Sequence, residues 1–382
     1  MVELIDKLRC CGCSACVQVC PKQCISFDED TEGFLYPVVN KDLCIDCGLC
    51  EKVCPFLNLS APRKPVKVLA AINPNEEIRM KSSSGGIFTM LAEAVIDEGG
   101  VVFGARFDKN WEVMHDYTET KEGIDTFRGT KYTQSKIGIT YKEAKDFLMK
   151  GRKVLFSGTG CQIAGLRLFL RKEYDNLLTV EIACHGVPSP AVWRAYLDDV
   201  TKGDKNKINS INFRDKRNGW NGYGLTIEKD DDIIYELSTS NRYMQSFLKD
   251  LCLRPSCANC PAKQGASGTD LIIGDFWGVE NIYPEIYDNK GCSFVVVNSE
   301  KGKEQIVQIN TKNLEITYEE GCRYNPCLVQ SSAESRYAPI FWRQFHKNGV
   351  MAINDTLKIL HSNRIQRMAY LIWYKVISKI RK

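Results

Sequence analysis

Long apolar runs are missing from this chain: none of its 382 residues falls in a run of the roughly 18–20 that a bilayer crossing requires, so no membrane span is expected. The opening Met1-Val2-Glu3-Leu4-Ile5-Asp6-Lys7 places charges where a signal peptide needs an apolar stretch; secretion is not indicated, and the expected location is the cytoplasm. Charge of one sign is scarce as well. Fifty-one basic and 47 acidic residues leave a formal +4, too small and too evenly spread to argue for nucleic acid. No H-E-x-x-H, G-x-S-x-G or kinase signature occurs, which removes support from hydrolase and phosphotransferase readings. Disorder as the dominant state is excluded by a composition 44% hydrophobic and 10% aromatic, which suits a globular chain of two or three domains.

What the chain has in excess is cysteine. There are 18, ten of them in the first sixty residues. A chain of this size with a normal core and no secretory signal does not need disulfide staples, so metal or redox chemistry is favoured. Cys10, Cys13, Cys16 and Cys20 stand at C-x2-C-x2-C-x3-C, followed by Pro21, and Cys44, Cys47, Cys50 and Cys54 repeat the run before Pro55. Each cysteine of the second set lies 34 residues after its counterpart, an internal duplication. This is the spacing of bacterial ferredoxins, in which the fourth cysteine serves the other 4Fe–4S cluster. The expected sets are therefore Cys10, Cys13, Cys16 and Cys54 for one cluster, and Cys44, Cys47, Cys50 and Cys20 for the other. Gly12 and Gly48 sit where the tight loop around a cluster benefits from a residue without Cβ. Zinc is the competing occupant of paired C-x2-C thiolates, but a doubled triplet with a remote fourth ligand is not its usual pattern. Cys11 and Cys24 fall outside the pattern and read as bystanders.

After the linker Ser60-Ala61-Pro62-Arg63-Lys64-Pro65, strand-like and helix-like stretches alternate. The expected fold is α+β: a bacterial-type ferredoxin module over residues 1–60, a mixed-sheet α/β body over 66–335 with parts at about 66–150 and 151–335, and a helical tail over 336–382. Three loops of the body carry chemical content. Ser82-Ser83-Ser84-Gly85-Gly86 opens a helix and reads either as an anion site suited to a cofactor phosphate or as a serine cap with a glycine turn. Val154–Phe156 runs through Ser157-Gly158-Thr159-Gly160 to Cys161, and Val180–Ala183 runs to Cys184, so two cysteines close two expected strands. The first of these is neither a dinucleotide fingerprint nor a P-loop. The third loop holds Cys257 and Cys260, half of a metal site. Cys161 and Cys184 are natural partners to complete a third 4Fe–4S cluster; Cys252 could replace either, and a structural zinc is the alternative.

These loops, in this order, resemble the coenzyme F420 hydrogenase/dehydrogenase beta-subunit family, iron–sulfur flavoproteins that often carry an N-terminal two-cluster ferredoxin domain. The resemblance rests on Ser83-Ser84-Gly85-Gly86, Gly99-Gly100-Val101-Val102-Phe103-Gly104, Lys131-Tyr132, Gly158-Thr159-Gly160-Cys161-Gln162 and Cys184-His185-Gly186-Val187-Pro188-Ser189. It continues through Phe213-Arg214-Asp215-Lys216, Arg254-Pro255-Ser256-Cys257 and Gly274-Asp275-Phe276-Trp277-Gly278. Gly160 stands where the family usually has proline, a departure that alters loop stiffness but keeps Cys161.

The resemblance implies a bound FAD, a cluster in the body and two-electron chemistry at the flavin. Ser83, Ser84, Gly85, Gly86 and Lys131 are the candidates for holding FAD. Arg214, Lys216 and Trp220 are candidates for the substrate side, against the plainer reading of surface charge and a core aromatic. His185 is either a donor beside Cys184 or a structural histidine. The implied partners are a ferredoxin or reduced deazaflavin (coenzyme F420) as donor, and a separate enzyme if the chain is an electron-carrier subunit. In the tail, Ile365, Met368, Ile372, Val376 and Ile380 follow helical spacing beside basic residues. Such a stripe packs onto its own domain or rests on a partner or membrane surface. Three oxidised clusters at about −2 each would turn the formal +4 into about −2.

Overall fold

A computed structural model describes residues 6–368, 370 and 371. In the first sixty residues, β1 (Ile25–Glu29) pairs antiparallel with β2 (Leu35–Val39), with Ile25 opposite Val39. The carboxylate of Asp30 ties the connecting turn by accepting from the amides of Glu32 and Phe34. This region has little apolar core of its own: its buried cluster is Cys24, Ile25 and Cys50.

The body is built on an eight-stranded mixed sheet. Its first strands are β3 (Lys67–Ile72), β4 (Val101–Phe107), β5 (Val113–Thr118), β6 (Val154–Thr159) and β7 (Leu177–Ile182). A separate antiparallel sheet holds β8 (Ile208–Asp215), β9 (Gly224–Lys229) and β10 (Asp232–Leu237). The chain then returns with β11 (Leu271–Asp275), β12 (Ser293–Val297) and β13 (Lys312–Glu315), giving the order β13-β3-β12-β11-β7-β6-β4-β5. The β4, β6, β7 and β11 pairings are parallel, and the flanking pairings are antiparallel.

The central strands are nearly continuous apolar runs because both faces are covered. Val154 and Phe156 point into one core, Leu155 into the other. The Phe103–Phe156 side also takes in Cys11, Cys13, Ala15 and Val53, so the first sixty residues share an apolar core with the sheet. Burying Val53 completely contributes about 2 kcal/mol to that contact.

The stretches Val154–Phe156 and Val180–Ala183 that lead to Cys161 and Cys184 fall on β6 and β7, except that Ala183 lies just past the end of β7. β2, β5, β10 and β13 were not anticipated. Each of the four has a partner on one side only, with exposed or partly exposed positions that blur the apolar signal. The tail is helical over Ala338–Asn348 and Met351–His361. Ile365 and Met368 of the proposed stripe are exposed, and Ile372, Val376 and Ile380 lie outside the described residues. Among the described residues no helix is long and apolar enough to cross a membrane.

Candidate metal and cofactor sites

The two cysteine runs wrap two hollows. Cys10, Cys13, Cys16 and Cys54 line the first, of about 510 Å³ including open solvent. Cys20, Cys44, Cys47 and Cys50 line the second, of about 380 Å³ on the same measure. The fourth cysteine of each run thus stands with the triplet of the other. Gly12 and Gly48 make the required bends at φ of 69° and 68°, where a Cβ would be strained. Burial, reinforced by Cys10 and Cys54, pushes the Cys16 thiol up to about 12, and burial raises Cys50 and Cys54 as well. Thiols that resist ionising in isolation suit a cationic core that offsets their charge. Cys47 is exposed, so the second hollow reaches the surface.

A third group forms at the carboxyl ends of two adjacent parallel strands, where α/β sheets open a crevice. Thr159 of β6 pairs with Ile182 of β7, and Cys161 and Cys184 follow them by two residues each. The segment 252–260 lies across this edge. Ser189 N–H donates to Cys252 O and Arg254 N–H to Val187 O, both at 2.9 Å, which sets Cys257 and Cys260 opposite the strand ends. Burial pushes Cys257 up to about 12 and Cys260 up to about 11, and Cys161 adds repulsion to both. Cys184 is raised by burial and by Cys257, against the pull of Lys263. Val187 N–H donates to Cys257 Sγ at 3.4 Å, as backbone amides do around iron–sulfur sites. Lys263 Nζ braces the loop by donating to Cys184 O at 2.7 Å and Cys327 O at 2.8 Å. Cys252 stands apart, fully buried in a different apolar core beside the Ser246 hydroxyl. Among the described residues no three His, Cys, Asp or Glu side chains converge as the ligands of a single ion would.

Cys11, which the spacing leaves without a role, lies between the first hollow and the third group. Its thiol interacts with Cys13 on one side and Cys161 on the other. The helix Gly160–Leu170 carries Cys161 and comes close to Cys13 because Gly165 has no side chain; a Cβ there would lie 3.0 Å from Cys13 Sγ. Cys24, the other unassigned residue of the first sixty, is 3.4 Å from Cys20, Sγ to Sγ, at the second hollow. Their only sequence signal is nearness to ligand positions.

The loop of Ser83, Ser84, Gly85 and Gly86 and the segment of Lys131 are brought together, with Thr130 N–H donating to Ser83 Oγ at 2.7 Å. The serine hydroxyls face protein: Ser84 donates to Cys292 O at 2.7 Å, and Ser82 to Ile78 O at 2.7 Å. Gly85 lies flat on the sheet, where a Cβ would come within 2.4 Å of Ala71 O. Gly86 caps the helix Ile87–Asp97 with φ 83° and no side-chain hydrogen bond, so the first-turn amides are free of a serine cap. Arg128 reaches that turn, donating to Thr89 Oγ1 at 3.2 Å. Lys131 donates to Thr126 O at 2.9 Å and Arg128 O at 3.1 Å. Burial, with the Arg128 charge beside it, pushes its ammonium down to about 7. Arg214, which reaches Ser83 O, leaves its buried Nε without a partner. A helix start without a side-chain cap, the Lys131 ammonium and the unpartnered Arg214 Nε fit an anionic ligand here.

Arg214, Lys216 and Trp220 do not form an exposed, substrate-facing patch. Lys216 is buried and donates to the carbonyls of Arg79, Ser84 and Lys290 at 2.7–2.9 Å. Arg214 forms a two-pronged pair with Asp275 at 3.0 and 3.1 Å and reaches Ser83 O. Trp220 stacks on Trp277 at 4.8 Å and donates to Asp275. Together they hold the glycine loop from below. His185 pairs with Asp250 at 2.5 Å against the Phe247 ring.

Duplicated cysteine hollows on a mixed α/β body define the class, an iron–sulfur protein, and residues 9–58 match the 4Fe-4S dicluster domain. Residues 68–138 match the coenzyme F420 hydrogenase/dehydrogenase beta subunit N-terminal domain, and 151–320 match its C-terminal domain. These two matches span more than half of the chain, which belongs to the coenzyme F420 hydrogenase/dehydrogenase beta-subunit family. Among solved structures it is similar to a chain of the F420-reducing [NiFe] hydrogenase complex from Methanosarcina barkeri. That pair is 17% identical, with 78% of this chain and 92% of that chain covered and a TM-score of 0.46. No curated protein matches.

Proposed function

We propose that the chain is an oxidoreductase that relays electrons between a ferredoxin or deazaflavin (coenzyme F420) donor and a two-electron substrate. Cys10, Cys13, Cys16 and Cys54 would hold one 4Fe–4S cluster, Cys20, Cys44, Cys47 and Cys50 a second, and Cys161, Cys184, Cys257 and Cys260 a third. Ser83, Ser84, Gly85, Gly86 and Lys131 would hold FAD, the loop through its backbone and Lys131 through its charge. When bound, the clusters carry electrons singly and FAD couples them into pairs, which is why an organic substrate needs both.

The observation that carries this reading is the order of the cysteine groups. Cys47 is at the surface, the first hollow lies inward, Cys11 spans from Cys13 to Cys161, and the third group sits at the carboxyl ends of β6 and β7. Cys50 lines both hollows and so joins the first two sites. A cytoplasmic protein of this kind would meet its donor at the Cys47 end, where Leu43 and Ile45 are exposed. The family's description as a beta subunit favours a second reading, a carrier that docks between a donor and a separate enzyme and has no substrate of its own.

Anaerobic purification followed by iron, sulfide, zinc and flavin analysis tests the first part, with about twelve irons and one FAD expected. Zinc in a colourless protein would overturn both readings. Stopped-flow reduction by reduced deazaflavin against reduced ferredoxin then identifies the donor.

A further inference from the structure

Arg254 is 1% exposed and sits between the first sixty residues and the body. Its guanidinium donates to Cys10 O at 2.7 Å, Leu35 O at 2.9 Å and Gln134 Oε1 at 2.9 Å, and it lies 3.7 Å from Cys10 Sγ. The rings of Tyr36 and Phe34 cover it at 4.3 and 5.3 Å. None of these hydrogen-bond partners is a carboxylate. A buried cation without an anion is costly, so the charge that balances it must be something else nearby. The groups that can supply it are thiolates. Cys10 is in direct contact, and Arg254 belongs to the loop of the other site: Cys257 N–H donates to Arg254 O at 2.9 Å, and Val187, whose carbonyl accepts from Arg254 N–H, donates its own N–H to Cys257 Sγ at 3.4 Å. Gly12 makes room, since a Cβ there would lie 2.9 Å from the Arg254 Nη1 atom.

We propose that Arg254 is the shared counter-ion of two iron–sulfur sites, the one at Cys10, Cys13, Cys16 and Cys54 and the one at Cys161, Cys184, Cys257 and Cys260. This rests on the ligand sets proposed above. Each site becomes more negative by one charge on reduction, so a fixed cation between them favours the reduced form of both. The Cys20, Cys44, Cys47 and Cys50 site is not among its contacts. Arg254 is a positioning residue with an electrostatic role: it clamps the two regions and levels the two sites that an electron must cross.

The test is an EPR-monitored redox titration of the full-length protein, purified anaerobically, as parent, Arg254→Gln and Arg254→Lys. Iron is assayed first. A parent without the iron of three clusters refutes the ligand sets, and this proposal falls with them. With iron intact, Arg254→Gln shifts two of three one-electron steps toward the oxidised form by at least about tenfold, about 59 mV. The third step stays in place, and Arg254→Lys keeps parental potentials. Unmoved potentials in Arg254→Gln at full iron overturn the proposal, as does an equal shift of all three steps or an equal shift in both variants. If Arg254→Gln loses iron, Arg254→Lys decides. Full iron at parental potentials supports the charge, and shifted potentials or lost iron make Arg254 a structural clamp alone.

Discussion

The first sixty residues and the body present cysteines in opposite ways. In the former, eight thiols come from two short runs, and the buried apolar cluster around them is itself largely cysteine. In the body, four thiols come from three distant segments, set by a sheet whose central strands are fully covered on both faces. The difference is one of cause. The first region has little core apart from its cysteines, whereas the second has a sheet packed on both faces that presents cysteines at one edge. Small regions with thin cores depend on metal staples, and larger ones do not.

Stripping the iron with a chelator is the largest expected perturbation of this contrast. Limited proteolysis should then cut within the first sixty residues while the fragment from about residue 66 onward resists; equal resistance of both regions would break the comparison. Next in size is the pairing of ligands across the two runs. Cys54→Ser should remove the cluster of the Cys10 triplet, about four irons, and leave the Cys44 triplet loaded. EPR of the reduced variant reads which cluster survives. Gly165→Val pushes a side chain into the Cys13 contact that joins the regions, and overpacking of this kind costs about 1–3 kcal/mol. Thermal unfolding should show the loss.

Smaller effects separate cofactor contacts from scaffold. Lys131 is held at about 7 in the free protein, so raising the pH through 7 removes its charge, while a bound anion favours the charged form. FAD affinity should therefore fall above pH 7, by up to about tenfold per unit, and Lys131→Met should flatten that slope in fluorescence titrations. Ser84→Ala loses a hydrogen bond to Cys292 O, worth about 1 kcal/mol, and should leave FAD affinity unchanged because the hydroxyl faces protein.

Much of this arrangement is legible in the residues. A 34-residue duplication announces the two hollows because loop geometry around a cluster is local. The apolar run Val154–Phe156 marks a central strand because burial on both faces leaves no polar alternation to confuse, whereas its neighbour β7 carries the buried polar residues Thr179 and Glu181. Edge strands such as β5 and β13 lack that signal. The roles of Arg254, which stands in a recognised motif, and of Cys11 are hidden for another reason: each acts across the boundary between regions, and spacing along the chain carries no information about what folds onto what. The same is true of Arg214, Lys216 and Trp220, whose burial under the glycine loop depends on β8 and β11 meeting in space.

The central claim is that the fold assembles a third four-cysteine site. Iron analysis of Cys257→Ser and Cys252→Ser, each purified anaerobically beside the parent, tests it most directly. Cys257→Ser should lose about four of about twelve irons with the signals of the other two clusters intact, and Cys252→Ser should lose none. Full iron in Cys257→Ser would contradict the account.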